Sequence, residues 1–154
     1  MAEEKRTTEE RKKECVRILL NNYPRYRKFV YKTYDRMGSE LTRTQQMIML
    51  ALAQYGTMSM SELASKICTS NEQATRAVSK LVDNGYIERF QNRLNRRVVN
   101  IRLTASGNEM IMKAREESVK LASLGFEVLT DQDIKDLLNA VETFDRLFEK
   151  AENR

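Results

Sequence analysis

Histidine and tryptophan are absent from this 154-residue chain, and proline occurs once, cysteine twice and glycine five times. Without histidine there is no imidazole base and no imidazole metal ligand. Cys15 and Cys68 lie far apart with no Cys-x-x-Cys spacing, so neither a disulfide framework nor a zinc site is indicated. There is also no glycine-rich phosphate loop and no pair of carboxylates in an apolar setting. The expectation is a protein with no catalytic residue, no metal and no cofactor: not an enzyme. No apolar run approaches the ~20 residues of a membrane span. The opening MAEEKRTTEERKKE lacks the apolar stretch of a signal peptide, so a cytoplasmic location is expected. The scarcity of glycine and proline, with 41% hydrophobic and 32% charged residues, favours helices around one real core.

What the chain has is positive charge in one place. Between Thr69 and Leu103 stand seven basic residues (Arg76, Lys80, Arg89, Arg93, Arg96, Arg97, Arg102) and three acidic ones (Glu72, Asp83, Glu88). That segment carries +4 of the net +5, which points to a polyanion partner, although a charged loop is commonly only a solvated one.

Periodicity supplies the elements. Apolar residues at Val16, Leu19, Leu20, Tyr23, Tyr26, Phe29 and Val30 recur at helical spacing over 8–37, with Pro24 expected to kink or break the helix at 21–23 and Gly38 to end it. LTRTQQMIMLALAQYG predicts a helix from about Arg43 to Gln54, opened by Thr42 with Gln45 three residues on and closed by Gly56. A very short strand is expected at Thr57 and Met58. The capping spacing recurs as Ser59 to Glu62, before a short helix with Leu63, Ala64 and Ile67 inward. It recurs again as Ser70 to Gln73, before NEQATRAVSKLVDNG, which places Ala74, Val78, Leu81 and Val82 on one face and stops at Gly85. Two helices so closely joined form a helix-turn-helix candidate. YIERF and VVNIRL then read as two paired strands, with Val99, Ile101 and Leu103 on one face, around the tip QNRLNRR. A hairpin directly after a helix-turn-helix is a wing, and arginines at its tip suit phosphates or a narrow minor groove.

The last third is helical. Thr104 caps a helix with Met110, Ile111, Ala114, Leu121 and Ala122 inward, which Gly125 loosens or ends. Thr130 or Asp131 opens another, with Ile134, Leu137, Leu138, Val141, Phe144 and Phe148 on one stripe. The terminal helices carry more apolar surface than a small winged-helix lobe can bury. Intrachain packing is one outcome; the favoured one is a dimer interface through Val16, Leu19, Leu20, Leu137, Leu138, Val141, Phe144 and Phe148. The fold class is therefore mainly α with a small β-hairpin: an N-terminal dimerisation segment over 1–37, a winged helix-turn-helix lobe over 38–104 and C-terminal dimerisation helices over 105–154.

The element order, with LTRTQQMIMLALA, SELASKI, LVDNGYIER and RLNRRVVNIRLTASG, resembles the multiple-antibiotic-resistance regulator (MarR) family over nearly the whole chain. Gly85, Glu88, Arg89, Arg96, Arg97, Leu103, Thr104 and Gly107 fall where that family has its wing motif. Asn95 departs from it, standing where the family has an aspartate able to orient a wing arginine. The resemblance implies a triangular homodimer with interleaved terminal helices. It further implies two winged lobes on an inverted repeat of double-stranded DNA with half-sites roughly 34–36 Å apart, and repression relieved by a small-molecule effector or an oxidant.

On this reading Ser70, Asn71, Gln73, Thr75, Arg76 and Lys80 form the recognition surface, with Arg76 suited to guanine, Gln73 or Asn71 to adenine and Lys80 to phosphate. Arg93 and Arg96 are wing contacts, and Arg97 either joins them or folds back onto the protein. The eight methionines are core filler or the flexible walls of a ligand pocket. Tyr23, Tyr26, Tyr31 and Tyr34 are interface aromatics or pocket hydroxyls. Cys15, beside Lys12, Lys13 and Arg17, is the candidate oxidant sensor that the resemblance raises. From a different class, a winged helix that binds an acidic protein partner is the competing function.

Overall fold

The computed structural model describes residues 7–35, 41–91 and 98–152. Six α-helices and three short strands follow one another as α1 (Thr8–Asp35), α2 (Arg43–Tyr55), β1 (Met58–Ser59), α3 (Met60–Lys66), α4 (Asn71–Asp83), β2 (Ile87–Gln91), β3 (Val99–Leu103), α5 (Ala105–Ser123) and α6 (Asp131–Glu152). A 3-10 turn, Leu124–Phe126, separates α5 from α6.

Hydroxyl side chains start these helices because the first backbone N–H groups of a helix have no partner of their own. At α2, Gln45 N–H donates to Thr42 Oγ1 (3.4 Å) and Thr42 N–H to Gln45 Oε1 (2.7 Å). At α3, Glu62 N–H reaches Ser59 Oγ (3.3 Å) and Ser59 N–H reaches Glu62 Oε2 (2.7 Å). Thr130 and Asp133 close the same reciprocal pair at α6, and Thr7 with Glu10 at α1. At α4 only half of the expected pair forms. Ser70 accepts from Gln73 N–H (3.2 Å), while the Gln73 side chain turns to the Thr69 hydroxyl instead of the Ser70 backbone.

Of the three carboxylates that close caps, Glu62 and Asp133 have a shifted protonation. Hydrogen bonds from the Ser59 backbone and hydroxyl keep Glu62 below the ordinary carboxylate range. Those from the Thr130 hydroxyl and backbone do the same for Asp133. A carboxyl depressed in the folded state stabilises it above the unfolded-state pKa and stops doing so as pH falls through the folded one. Acid titration by NMR is expected to find both groups titrating low, and Ser59→Ala to raise Glu62 alone; an unchanged Glu62 midpoint in that variant would contradict the capping account.

Proline does not break α1. The helix runs through Pro24, so of the kink or break expected at 21–23 the break does not occur. The penalty, about 3 kcal/mol, is local, whereas the turns on either side add cooperatively. Gly38 lies outside the described residues. The small strand sits one residue later than expected, on Met58 and Ser59. It pairs with β3, which pairs with β2, giving an antiparallel sheet of order β1-β3-β2. Facing pairs across the hairpin are Ile87 with Leu103, Glu88 with Arg102, Arg89 with Ile101, Phe90 with Asn100 and Gln91 with Val99. Of the face predicted to hold Val99, Ile101 and Leu103, Ile101 is buried, Leu103 is half-buried and Val99, next to the tip, is exposed.

The core lies where α2, α3, α4 and the sheet meet. Ile48, Met49, Leu63, Val78, Leu81, Ile87 and Ile101 are its fully buried large side chains, with Met58 and Ile111 at its margins. The turn from α4 into β2 is a Schellman ending: Tyr86 N–H reaches Leu81 O and Gly85 N–H reaches Val82 O, each at 2.9 Å, with Gly85 at φ 75°. That left-handed residue swings the chain straight into the wing.

The chain divides into two compact units, Met1–Ser118 and Val119–Arg154, so the division falls inside α5. In the first, α1 exposes Val16, Ile18, Leu20, Tyr23, Tyr26, Phe29 and Val30, while Leu19 is half-buried. In the second, every described side chain of α6 is exposed, including all six of the predicted stripe.

Candidate nucleic-acid interface

Helices α3 and α4 are joined by Ile67, Cys68, Thr69 and Ser70, with Cys68 in the left-handed region at φ 51°. The buried side of α4 is Ala74, Val78 and Leu81, with Val82 half-buried. Helical periodicity leaves Ser70, Asn71, Gln73, Thr75, Arg76 and Lys80 exposed, so all six predicted recognition residues reach solvent from one helix and its cap. Ser70 is itself the N-cap, its hydroxyl already accepting from Gln73 N–H. Arg76 pairs with Glu72 one turn back at 3.2 Å, both side chains well exposed. Such a pair is worth roughly 0.3–0.5 kcal/mol, little enough to be exchanged for a phosphate or a base edge. Lys80 is exposed farther along the helix.

The predicted wing contacts Arg93, Arg96 and Arg97, and Asn95 with them, lie outside the described residues. The strands that carry the tip are described, and they contain the residue that sequence reasoning missed. Arg89 donates from Nη2 to Ser79 Oγ (2.8 Å) and to the Thr75 carbonyl (3.3 Å), tying the first wing strand to the middle of α4. A signal was available: Arg89 lies two residues after buried Ile87, hence on the side of the strand that faces the core and α4. Arg102 is also engaged, by Glu88 across the strands at 2.6 Å and by the Phe90 ring at 5.0 Å. The basic segment is thus divided between structural arginines and groups left facing outward.

A cavity of about 240 Å³ opens beside the turn between α3 and α4, lined by Tyr31 of α1, Arg43, Met47 and Leu50 of α2, and Cys68 and Thr69 of the turn. A neighbouring one of about 350 Å³ shares Val30, Met47, Leu50 and Ile67 with it and adds Tyr55, Lys66 and Arg115. Arg27 and Arg43 lie 4.9 and 4.0 Å from the Tyr31 ring. The Arg27 guanidinium, by hydrogen bond and then by charge, holds the phenol below the usual tyrosine range. Tyr23 and Tyr26 are exposed on α1 and line neither cavity. Met49 and Met58 are core, whereas Met47 lines both cavities. Cys15 is exposed on α1; of the cations predicted to favour its thiolate, Lys12 pairs with Glu9 at 3.7 Å and Arg17 with Glu14. Among the described residues no cluster of potential ligands could hold a metal ion, and no helix is long and apolar enough to cross a membrane.

Helix, turn, helix and antiparallel wing define a winged helix-turn-helix protein. Residues 41–99 match the MarR family. The chain is 25% identical over 110 residues to the uncharacterized HTH-type transcriptional regulator YpoP of Bacillus subtilis, covering 71% of this chain and 78% of that one. It superposes on NadR in complex with 4-hydroxyphenylacetate with a TM-score of 0.67 at 20% identity, covering 86% and 98% of the two chains. On a mutant of E. coli MarR complexed with operator DNA the TM-score is 0.58 at 16% identity, covering 83% and 91%.

Proposed function

We propose that this protein is a sequence-specific, double-stranded-DNA-binding transcriptional repressor, acting in the cytoplasm as a homodimer on an inverted repeat and releasing DNA when a small molecule binds. The observation that carries the reading is the outer face of α4. Asn71, Gln73, Thr75, Arg76 and Lys80 project from the second helix of a helix-turn-helix, at the start of the chain's basic segment. Laid in a major groove, the N-terminal part of α4 meets base edges while Lys80, farther along, meets phosphate, and the hairpin extends to the flanking backbone. The solved complex of E. coli MarR with operator DNA has the same fold.

Homodimerisation is supported by the uncovered apolar faces of α1 and α6. A two-fold assembly would present two α4 helices to half-sites about one helical turn, roughly 34 Å, apart. The effector reading rests on the two adjoining cavities. They reach from α1 to the turn that launches α4, and they combine apolar walls with Arg43, Lys66 and Arg115. Such a lining suits a small molecule with an apolar body and an acidic group. NadR, of the same fold, holds 4-hydroxyphenylacetate.

The test is selection of bound sites from random DNA, then titration of the best site at several salt concentrations. Lys80→Ala is expected to weaken all sequences alike and to reduce the salt slope by about 1. Arg76→Ala is expected to cost about 1–3 kcal/mol and to relax preference at one base pair per half-site. Binding that is indifferent to salt and to both substitutions would refute the DNA reading.

A further inference from the structure

The amide of Gln73 is not a freely rotating reader. Five helix starts share the hydroxyl-to-position-three spacing, and at α1, α2, α3 and α6 the third residue folds back onto the cap's own N–H. At α4 it does not: the Thr69 hydroxyl donates to Gln73 Oε1 at 2.7 Å. Thr69 is well placed to hold that bond. Its N–H is anchored to the Ala64 carbonyl at 3.0 Å, it follows the left-handed Cys68, and its side chain is half-buried. Gln73 is exposed, and a loose glutamine side chain has substantial rotamer freedom to lose on binding.

We infer that Thr69 is a positioning residue that sets which edge of a base Gln73 reads. The Thr69 hydroxyl takes one lone pair of Oε1 and holds that oxygen toward the turn, so the group presented to DNA without a partner is the Nε2 amino group, a donor. The bidentate pairing of a glutamine with adenine needs Oε1 to accept from N6 while Nε2 donates to N7. Guanine offers acceptors only at that edge, N7 and O6. Thr69 therefore turns Gln73 from the adenine reader its residue type suggests into a reader of acceptor edges, guanine foremost. This rests on the DNA-binding reading above.

The experiment is site selection from random DNA with the full-length wild type, Thr69→Val, Thr69→Ser and Gln73→Ala. Melting temperatures and affinities for the wild-type site are measured alongside. Valine keeps the shape and removes the hydroxyl; serine keeps the hydroxyl. The wild type is expected to prefer guanine at the base pair that Gln73→Ala flattens. Thr69→Val should shift that one position toward adenine and weaken the wild-type site about tenfold, with the melting temperature unchanged. Thr69→Ser should retain the wild-type profile. A wild-type motif that Thr69→Val leaves intact, or an adenine at the Gln73 position in the wild type, would overturn this inference while leaving the regulator reading in place. A wild type that enriches no sequence would overturn both.

Discussion

Gly107→Ala should lower the melting temperature by roughly 5–10 °C at matched protein concentration, although alanine is the better helix former. Gly107 is in the first turn of α5, and a Cβ there would stand 2.1 Å from the Tyr86 carbonyl oxygen, 3.0 Å from its carbon and 3.3 Å from Leu103 Cδ2. The carbonyl cannot step aside cheaply, because it accepts the Thr104 N–H at 3.0 Å. Thr104 in turn donates its hydroxyl to the Gly85 carbonyl (2.7 Å) and accepts the Gly107 N–H (3.0 Å). One methyl group therefore opposes the junction of α4, the wing and α5 at once. Overpacking costs about 1–3 kcal/mol and occasionally more; a Cβ 2.1 Å from a backbone oxygen stands at the top of that range, about 3–4 kcal/mol, against up to ~1 kcal/mol of helix propensity regained. For a chain of this length a net loss of 2–3 kcal/mol corresponds to roughly 2–4 °C per kcal/mol. Gly125→Ala is the control, since nothing lies within 4 Å of a Cβ there, and it should leave the melting temperature nearly unchanged. Equal melting curves for both variants would remove the steric account.

Phe144→Asp is expected to convert a homodimer into monomers at micromolar concentration and, with that, to abolish tight binding to an inverted repeat. Ile134, Leu137, Leu138, Val141, Phe144, Leu147 and Phe148 are 38–57% exposed on α6. Phe144 and Phe148 stack on each other with centroids 4.4 Å apart. A helix whose apolar stripe stays wet lacks the packing from which helices in proteins draw most of their stability; in the proposed homodimer a second copy supplies that packing. Truncating a central aromatic of an interface costs about 2–4 kcal/mol, some 30- to 1000-fold in dissociation constant, and a buried carboxylate adds to it. Asn139→Asp introduces the same charge on the opposite side of the helix and should leave the dimer intact. Sedimentation equilibrium distinguishes the cases. A Phe144→Asp variant that remains at twice the chain mass would show that the α6 stripe is covered by something other than a second copy.

The elements and most of the surface were legible in the amino-acid order alone. Helix starts at Thr42, Ser59, Ser70, Thr104 and Thr130, the Gly85 stop and the alternation around Ile101 are local regularities. They depend on neighbours one turn or one pleat away, so one dimension suffices to read them. The outward face of α4 was legible for the same reason: once its buried residues are known, helical geometry assigns the rest. Whatever depends on contacts between distant segments emerged only in the folded chain. Pro24 looked like a break because its penalty is local, whereas the continuity of α1 is a sum over many turns. Arg89 looked like one more basic wing residue until the strand register brought it to Thr75 and Ser79. Gly107 looked like an ordinary helix glycine until the Tyr86 carbonyl was placed against it. Gln73 had the spacing of a capping partner, and its side chain went to Thr69 instead. The cavities beside that turn are spaces between α1, α2 and α3, which no single segment encodes. Each of these is set by how elements close on one another, and the free energy of that closure belongs to pairs of residues far apart in the chain.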